Sequence, residues 1–294
     1  MTRATDVASG KTHTDENFPV ASHLIAARHR PAVMAFYHFV RAADDVADHA
    51  TLTPPQKLEH LDRLEASLLG RSASEPVAEP LRAVLAERKL SPRHALDLLS
   101  AFRLDVTKSR TADWADLIHY CSLSAMPVGR YVLDVHGESQ ATWPASDAVC
   151  AALQIVNHLQ DCGKDFRALD RVYIPDDALA AAGLDTSALG ASAASPALRA
   201  LVRDLAIRTR GLLDEGAILP RQVRDYRLGL ETAVIVGLCR HLTHVLETHD
   251  PLSQKVHHGK LAVLRIAAGS MATTTLGRLL RPRPSVSVAG ARRA

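Results

Sequence analysis

The chain has 294 residues, of which 47% are hydrophobic, 23% charged and only 4% aromatic, with a formal net charge of +3. That length and apolar content suffice for a sizeable core, and the near-balanced charge, with no base-reading motif, excludes a nucleic-acid binder. Abundant Ala and Leu favour helices over sheets, and Cys121, Cys150, Cys162 and Cys239 form no CxxC pair, so they are read as reduced thiols of a cytoplasmic protein.

Residues 1–16 read as a polar, flexible leader without the apolar core of a signal peptide. From Ser22 to Ala50 apolar positions recur at helical spacing, and Pro31 predicts a break with a new helix starting near it. A helix at 55–68 is followed by a surface loop, LGRSASEPVAEP, at 69–80. Helical patterns then cover 81–89, 92–108, 113–137 and 145–168, and RVYIPDDAL is a turn or extended piece at Pro175. Residues 178–200 are rich in Ala, Gly and Ser and predict short helices joined by loops. Further helices are expected near 196–219, 222–248 and 258–280, before a basic, proline-broken tail at 281–294 that is expected to be disordered. No stretch approaches the ~18 uninterrupted apolar residues of a spanning helix. The expectation is a single all-α domain over 17–280.

Two stripes of polar residues stand out within this apolar pattern. In FYHFVRAADDVADH, Asp44, Asp45 and Asp48 lie three or four residues apart, with Arg41 one turn earlier and Tyr37 one turn before that. In LQIVNHLQDCGKDF, Gln154, Asn157, Asp161 and Asp165 step by three, four and four along one face. Carboxylates clustered on mostly buried helices repel one another and are costly to desolvate. A bound cation removes that penalty, and oxygen-only ligands point to a hard ion such as Mg²⁺ held together with substrate phosphates. Two such helices facing across a central apolar cavity suit ionisation of a diphosphate whose lipid tail occupies a dry pocket.

At these residues the chain resembles the squalene and phytoene synthase family, from about Glu16 to Leu280. The blocks that carry the resemblance are YHFVRAADDVAD, HYCSLSAMPVGRYVL, LQIVNHLQDCGKDF and RVYIP. It implies the isoprenoid-synthase helical bundle, an isoprenoid diphosphate substrate and Mg²⁺ as cofactor. Carried over residue by residue, Asp44, Asp45 and Asp48 match the first metal motif and Asp161 and Asp165 the second. Asn157 and Gln154 match the polar positions before that second motif. Arg41, Tyr37 and Tyr173 match site residues, Phe18 an aromatic near the pocket entry, and Lys255 roughly a late-chain arginine. The wording of ENFPVAS and NHLQDCGKDF is similar to the branch of bacterial hopanoid pathways. That branch implies conversion of presqualene diphosphate and water to hydroxysqualene and diphosphate, coupled to a presqualene diphosphate synthase and a flavin-dependent reductase. Two departures fit a one-diphosphate substrate: Gln160 replaces the arginine common before the second motif, and Ser122 replaces a tyrosine.

Several residues carry two readings. Arg41 can serve the diphosphate or pair with Asp45. Tyr37 can face the site or cap into the core, and Tyr173 can hydrogen-bond at the rim or simply pack. Lys164, Arg171, Lys255 and Lys260 are candidates for phosphate contact, each set against an ordinary solvated charge. His38, His49 and His158 neighbour the motifs, but the acidic stripes already form an oxygen site without them. Rival functions are condensation of two prenyl diphosphates on the same fold and a non-catalytic helical assembly factor. A greasy substrate also fits peripheral contact with the inner membrane face, aided by the last helix and the arginines Arg278, Arg281, Arg283, Arg292 and Arg293.

Overall fold

Proline placement and side-chain caps set where the helices begin. The structure, a computed structural model, describes residue 4, residues 24–72 and residues 75–280. Phe18, the tail at 281–294 and all of the leader but Ala4 lie outside the described residues. The helices, in order, are α1 (Arg30–Ala47), α2 (Pro54–Leu68), α3 (Ala78–Arg88), α4 (Arg93–Thr107), α5 (Trp114–Ser124) and α6 (Met126–Val135). They continue with α7 (Trp143–Leu169), α8 (Asp176–Ala181), α9 (Pro196–Gly216), α10 (Leu219–Gln222), α11 (Tyr226–Leu246) and α12 (Lys260–Leu279). No strand occurs among the described residues; RVYIP makes only an isolated parallel bridge, Val172 to Arg110.

At least one of the first two positions of α1, α2, α6, α7, α9 and α10 is proline, whose missing N–H costs nothing there. Asp113, Ser195 and Asp225 cap α5, α9 and α11 by accepting the first free backbone N–H groups. The continuous helix expected over 113–137 is instead two, broken at Ala125, because Pro127 cannot donate into the preceding turn. The loop expected at 69–80 ends early, with α3 starting at Ala78. The short α10 falls at the junction of the helices expected at 196–219 and 222–248, and the extended Val223 delays the start of α11 to Tyr226.

Three apolar clusters make the core. One joins α1 to α4 and α6 around Phe36, Phe39, Leu61, Leu64 and Leu99. Within it Tyr131 stacks on Phe36 at 4.0 Å and donates its hydroxyl to Ala32 O at 3.0 Å. A second joins α5, α7, α8, α9 and α11 around Ile155, Leu159, Val202 and Leu242. The third, smaller, joins α6, α7, α10 and α11. The long α7 takes part in both of the latter clusters, and that position sets the geometry of the site.

Candidate active site

An apolar cavity of ≈ 230 Å³ opens between α1, α6, α7 and α11, lined by Val33, Val132, Val149, Leu153, Leu228 and Ile235 among others. Its wall on α6 requires Gly129, where an added Cβ would lie 2.6 Å from Cys150 Sγ. Val33 faces this cavity from α1 and Cys150 from α7. Fifteen positions further along each helix stand Asp48 and Asp165, whose charges act on one another. The two helices therefore run in the same direction, their earlier turns lining the cavity and their last turns holding carboxylates about 22 Å away. Tyr37 and Asn157, both half-buried, lie between these ends on the same helices.

At the polar end, Arg41 on α1 pairs with Asp44 at 2.8 Å and closely with Asp45. Asp45 is buried, its side chain only 5% exposed, so of the three aspartates in the first motif it serves chiefly to hold Arg41. The salt-bridge reading of Arg41 is thus realised. Burial and then repulsion from Asp48 raise the Asp44 carboxyl well above the ordinary carboxylate range, against the pull of Arg41. Burial, followed by repulsion from Asp161, pushes Asp165 up to about 6. Lys164, itself exposed, draws Asp165 back downward.

Behind Asp48 lies a group of side chains that sequence reasoning missed or misread. Arg171 is not a solvated charge. It is 9% exposed, and its Nη1 donates to Asp48 Oδ1 at 2.9 Å while Nη2 donates to the Asp105 carbonyl at 3.2 Å. Asp105, on α4, accepts the hydroxyls of Tyr173 at 2.9 Å and Tyr120 at 2.8 Å. Burial pushes Asp105 up to about 6, although Arg171 and the two phenols counteract it. Tyr173 also stacks on His158, with centroids 3.5 Å apart. Gln154 donates its amide to His158 Nε2 at 3.1 Å, which places the ring proton on Nδ1. Burial, then Arg171, lowers His158 to about 3, so it stays neutral. Gln154, expected to touch substrate, is turned onto His158, and the half-buried Tyr173 is anchored by its hydrogen bond to Asp105 and its stack on His158. Lys57 completes this edge: its ammonium donates to the Ala47 carbonyl at the end of α1, at 2.8 Å.

The remaining candidates separate in space. Lys255 and Lys260 are exposed. Gln160 is buried and donates to the Val256 carbonyl, so it pins the segment before α12. Ser122 donates to His119 O within its own helix. His49 Nδ1 accepts the Leu52 N–H in a turn, and the His38 ring meets Tyr37 edge-on at 5.7 Å. Burial pushes the Cys162 thiol up to about 12, as befits an inert core residue.

Among the described residues no three acidic, histidine or cysteine side chains stand together as a formed metal site, but the chemistry of the two acidic stripes suits a divalent cation. Asp44, Asp48, Asp161 and Asp165 supply carboxylate oxygens alone, the donor set of Mg²⁺. Burial first, and repulsion from neighbouring carboxylates second, raise Asp44 and Asp165 toward protonation, a cost that a bound cation would relieve.

A family model described as squalene/phytoene synthase matches residues 11–262. The chain is 55% identical over 278 residues to the hydroxysqualene synthase of Rhodopseudomonas palustris, covering 95% of each. It is 48% identical over 266 residues to that of Zymomonas mobilis, covering 90% of each. Among solved structures, the squalene synthase HpnC of Alicyclobacillus acidocaldarius matches with a TM-score of 0.66 at 28% identity, over 87% of this chain and 88% of that one. A dehydrosqualene synthase in complex with ligand, 21% identical, has the same fold with a TM-score of 0.77 over 89% of this chain and 93% of that one.

Proposed function

The chain belongs to the squalene/phytoene synthase family, and from that premise we propose that it catalyses the hydroxysqualene synthase reaction: presqualene diphosphate and water give hydroxysqualene and diphosphate. The observation that carries the reading is the near-full-length identity of 55% and 48% to two hydroxysqualene synthases. The matched register of α1 and α7, apolar turns followed by acidic turns, supports it physically. A lipid tail fits the cavity while its diphosphate meets the carboxylates.

Asp44, Asp48, Asp161 and Asp165 would hold Mg²⁺, which when bound neutralises charge on the departing diphosphate. Arg41, clamped by Asp45, keeps the Asp44 carboxylate aimed, and Arg171 does the same for Asp48 from behind. The carbon–oxygen bond breaks with its electron pair leaving on diphosphate. The cyclopropylcarbinyl cation rearranges in this cavity, whose walls are mostly aliphatic, with Ser146, Cys150, Glu231 and Thr232 also among the lining. One water adds through oxygen and loses its proton to the diphosphate or to solvent. Tyr37 and Asn157, at the junction of apolar and acidic turns, orient that water.

The test is incubation of the pure protein with presqualene diphosphate and Mg²⁺ without NADPH. An alcohol and equimolar diphosphate are expected, with no turnover of farnesyl diphosphate alone. Formation of presqualene diphosphate from farnesyl diphosphate would assign the chain to condensation instead.

A further inference from the structure

Alone among the described helices, α12 contributes no buried residue. Its inner side is nevertheless firmly seated on α11. Gly237 gives it room, since a Cβ there would lie 2.6 Å from Ser270 Oγ and 2.8 Å from Ile266 Cγ2. Tyr226 and Thr275 share a hydroxyl hydrogen bond of 2.7 Å, and Arg278 donates to the carbonyls of Pro220 and Val223 at 2.9 and 2.7 Å. The rotation of α12 about its axis is therefore fixed, and so is the face it turns outward.

That outward face is apolar. Leu261, Leu264, Ala268, Ala272, Leu276 and Leu279 follow at steps of three or four, one stripe along the helix. The four leucines are between 57% and 76% exposed. Leu280 and, from the neighbouring α10–α11 corner, Ile218 and Tyr226 widen the stripe at its far end. Isolated exposed apolar residues need no explanation, but a contiguous stripe on a fixed helix does. Charge selects the occupant. From Lys255 to Ala294 the chain has eight lysines and arginines and no acidic residue, and Lys260 and Arg265 are exposed on α12 itself.

We propose that α12 docks on an anionic lipid surface, lying in the plane of the interface with its leucine stripe among the acyl chains and its cations at the headgroups. No helix among the described residues is long and apolar enough to cross a membrane, so this is attachment along a face. Pairing of two α12 stripes from separate copies would bring cation against cation with no acidic residue to oppose them. The inference stands on α12 alone and does not require the reaction proposed above.

The test is flotation of the full chain with vesicles of 70% phosphatidylcholine and 30% phosphatidylglycerol, against vesicles of phosphatidylcholine only. Wild type is expected to partition to the anionic vesicles at least tenfold more strongly, and to lose most of that preference in 0.5 M NaCl. The exposed triple variant Leu264→Gln, Leu276→Gln, Leu279→Gln, with an unchanged thermal melt, is expected to bind at least tenfold more weakly. Equal binding by the variant, or no binding by wild type, overturns the proposal. A leucine-dependent dimer in sedimentation without vesicle binding overturns it as well and assigns the face to a second copy.

Discussion

Arg171 Nη1 sits 2.9 Å from Asp48 Oδ1, joining residues 123 positions apart, and the same guanidinium is backed by Asp105, whose side chain is only 7% exposed. Asp48 is thus held from behind by a cation that is itself held by a buried carboxylate and two phenols.

Removing one member of this chain strands the others. Arg171→Leu leaves Asp105 buried without its cation and is expected to destabilise the fold by about 3–5 kcal/mol. Asp105→Asn in the Arg171→Leu background should restore most of that stability without restoring activity. Urea titration and diphosphate release on the two variants check this. A double variant as unstable as the single would refute the dependence.

Asp44→Asn and Asp161→Asn, made separately, should lower Mg²⁺-dependent diphosphate release by about 10³-fold, the loss of several kcal/mol of leaving-group stabilisation. Because the folded protein already disfavours the charged form of Asp44, Asp44→Asn at pH 8 should melt no lower than wild type. A melt several degrees lower would mean that Asp44 is structural.

Metal binding should be linked to protons. The apo protein retains protons on Asp165, raised to about 6, and on Asp44 at pH values where ordinary carboxylates have lost them. A cation must displace those protons, so Mg²⁺ affinity falls as pH drops through 7 to 6. Calorimetry in two buffers of different ionisation enthalpy should show proton release at pH 6.0 and none at pH 8.5. Buffer-independent heats at pH 6.0 would contradict it.

His158 links the stability of the fold itself to pH. Its folded pKa is lowered to about 3 from the ordinary 6.5 of histidine, so below pH 6.5 the unfolded chain takes a proton that the folded chain refuses. Its contribution is therefore intact above pH 6.5 and is lost as pH falls, at about 1.4 kcal/mol per unit. His158→Phe should gain about 2 kcal/mol relative to wild type between pH 7 and pH 5, read from urea midpoints at each pH. A pH-independent difference would show that the ring carries no such linkage.

Tyr131→Phe keeps the stack on Phe36 but removes the hydrogen bond that the hydroxyl donates to the Ala32 carbonyl. A loss of about 1–2 kcal/mol is expected in chemical denaturation, with activity on presqualene diphosphate retained. Loss of activity at full stability would place the hydroxyl in the site.

What was legible in the sequence is what repeats locally. The stripes Asp44–Asp48 and Asn157–Asp165 are visible because one helix carries all their members at its own period. The starts of α2, α7 and α9 fall within two residues of those expected at 55, 145 and 196. Asp105 was not, because its partners Tyr120, Arg171 and Tyr173 come from other segments, gathered by the bridge between Arg110 and Val172. Nothing within one turn of LDVT marks it. Arg171 in isolation resembles any loop arginine, and Gln160 reads as a member of the site although its amide is committed to Val256. The break at Ala125 was hidden because the apolar pattern runs on through Pro127, where hydrogen-bond chemistry forbids the helix to follow.

The shared direction of α1 and α7 has an electrostatic consequence. Both helices point their C-terminal ends, the negative poles of their backbone dipoles, toward the same carboxylates. Asp48 is the C-cap of α1 and Asp165 lies in the last turn of α7. A diphosphate arriving without a counterion therefore meets a field that rejects it, while a free divalent cation is drawn in. For the proposed reaction this implies an order, cation before or with the anion.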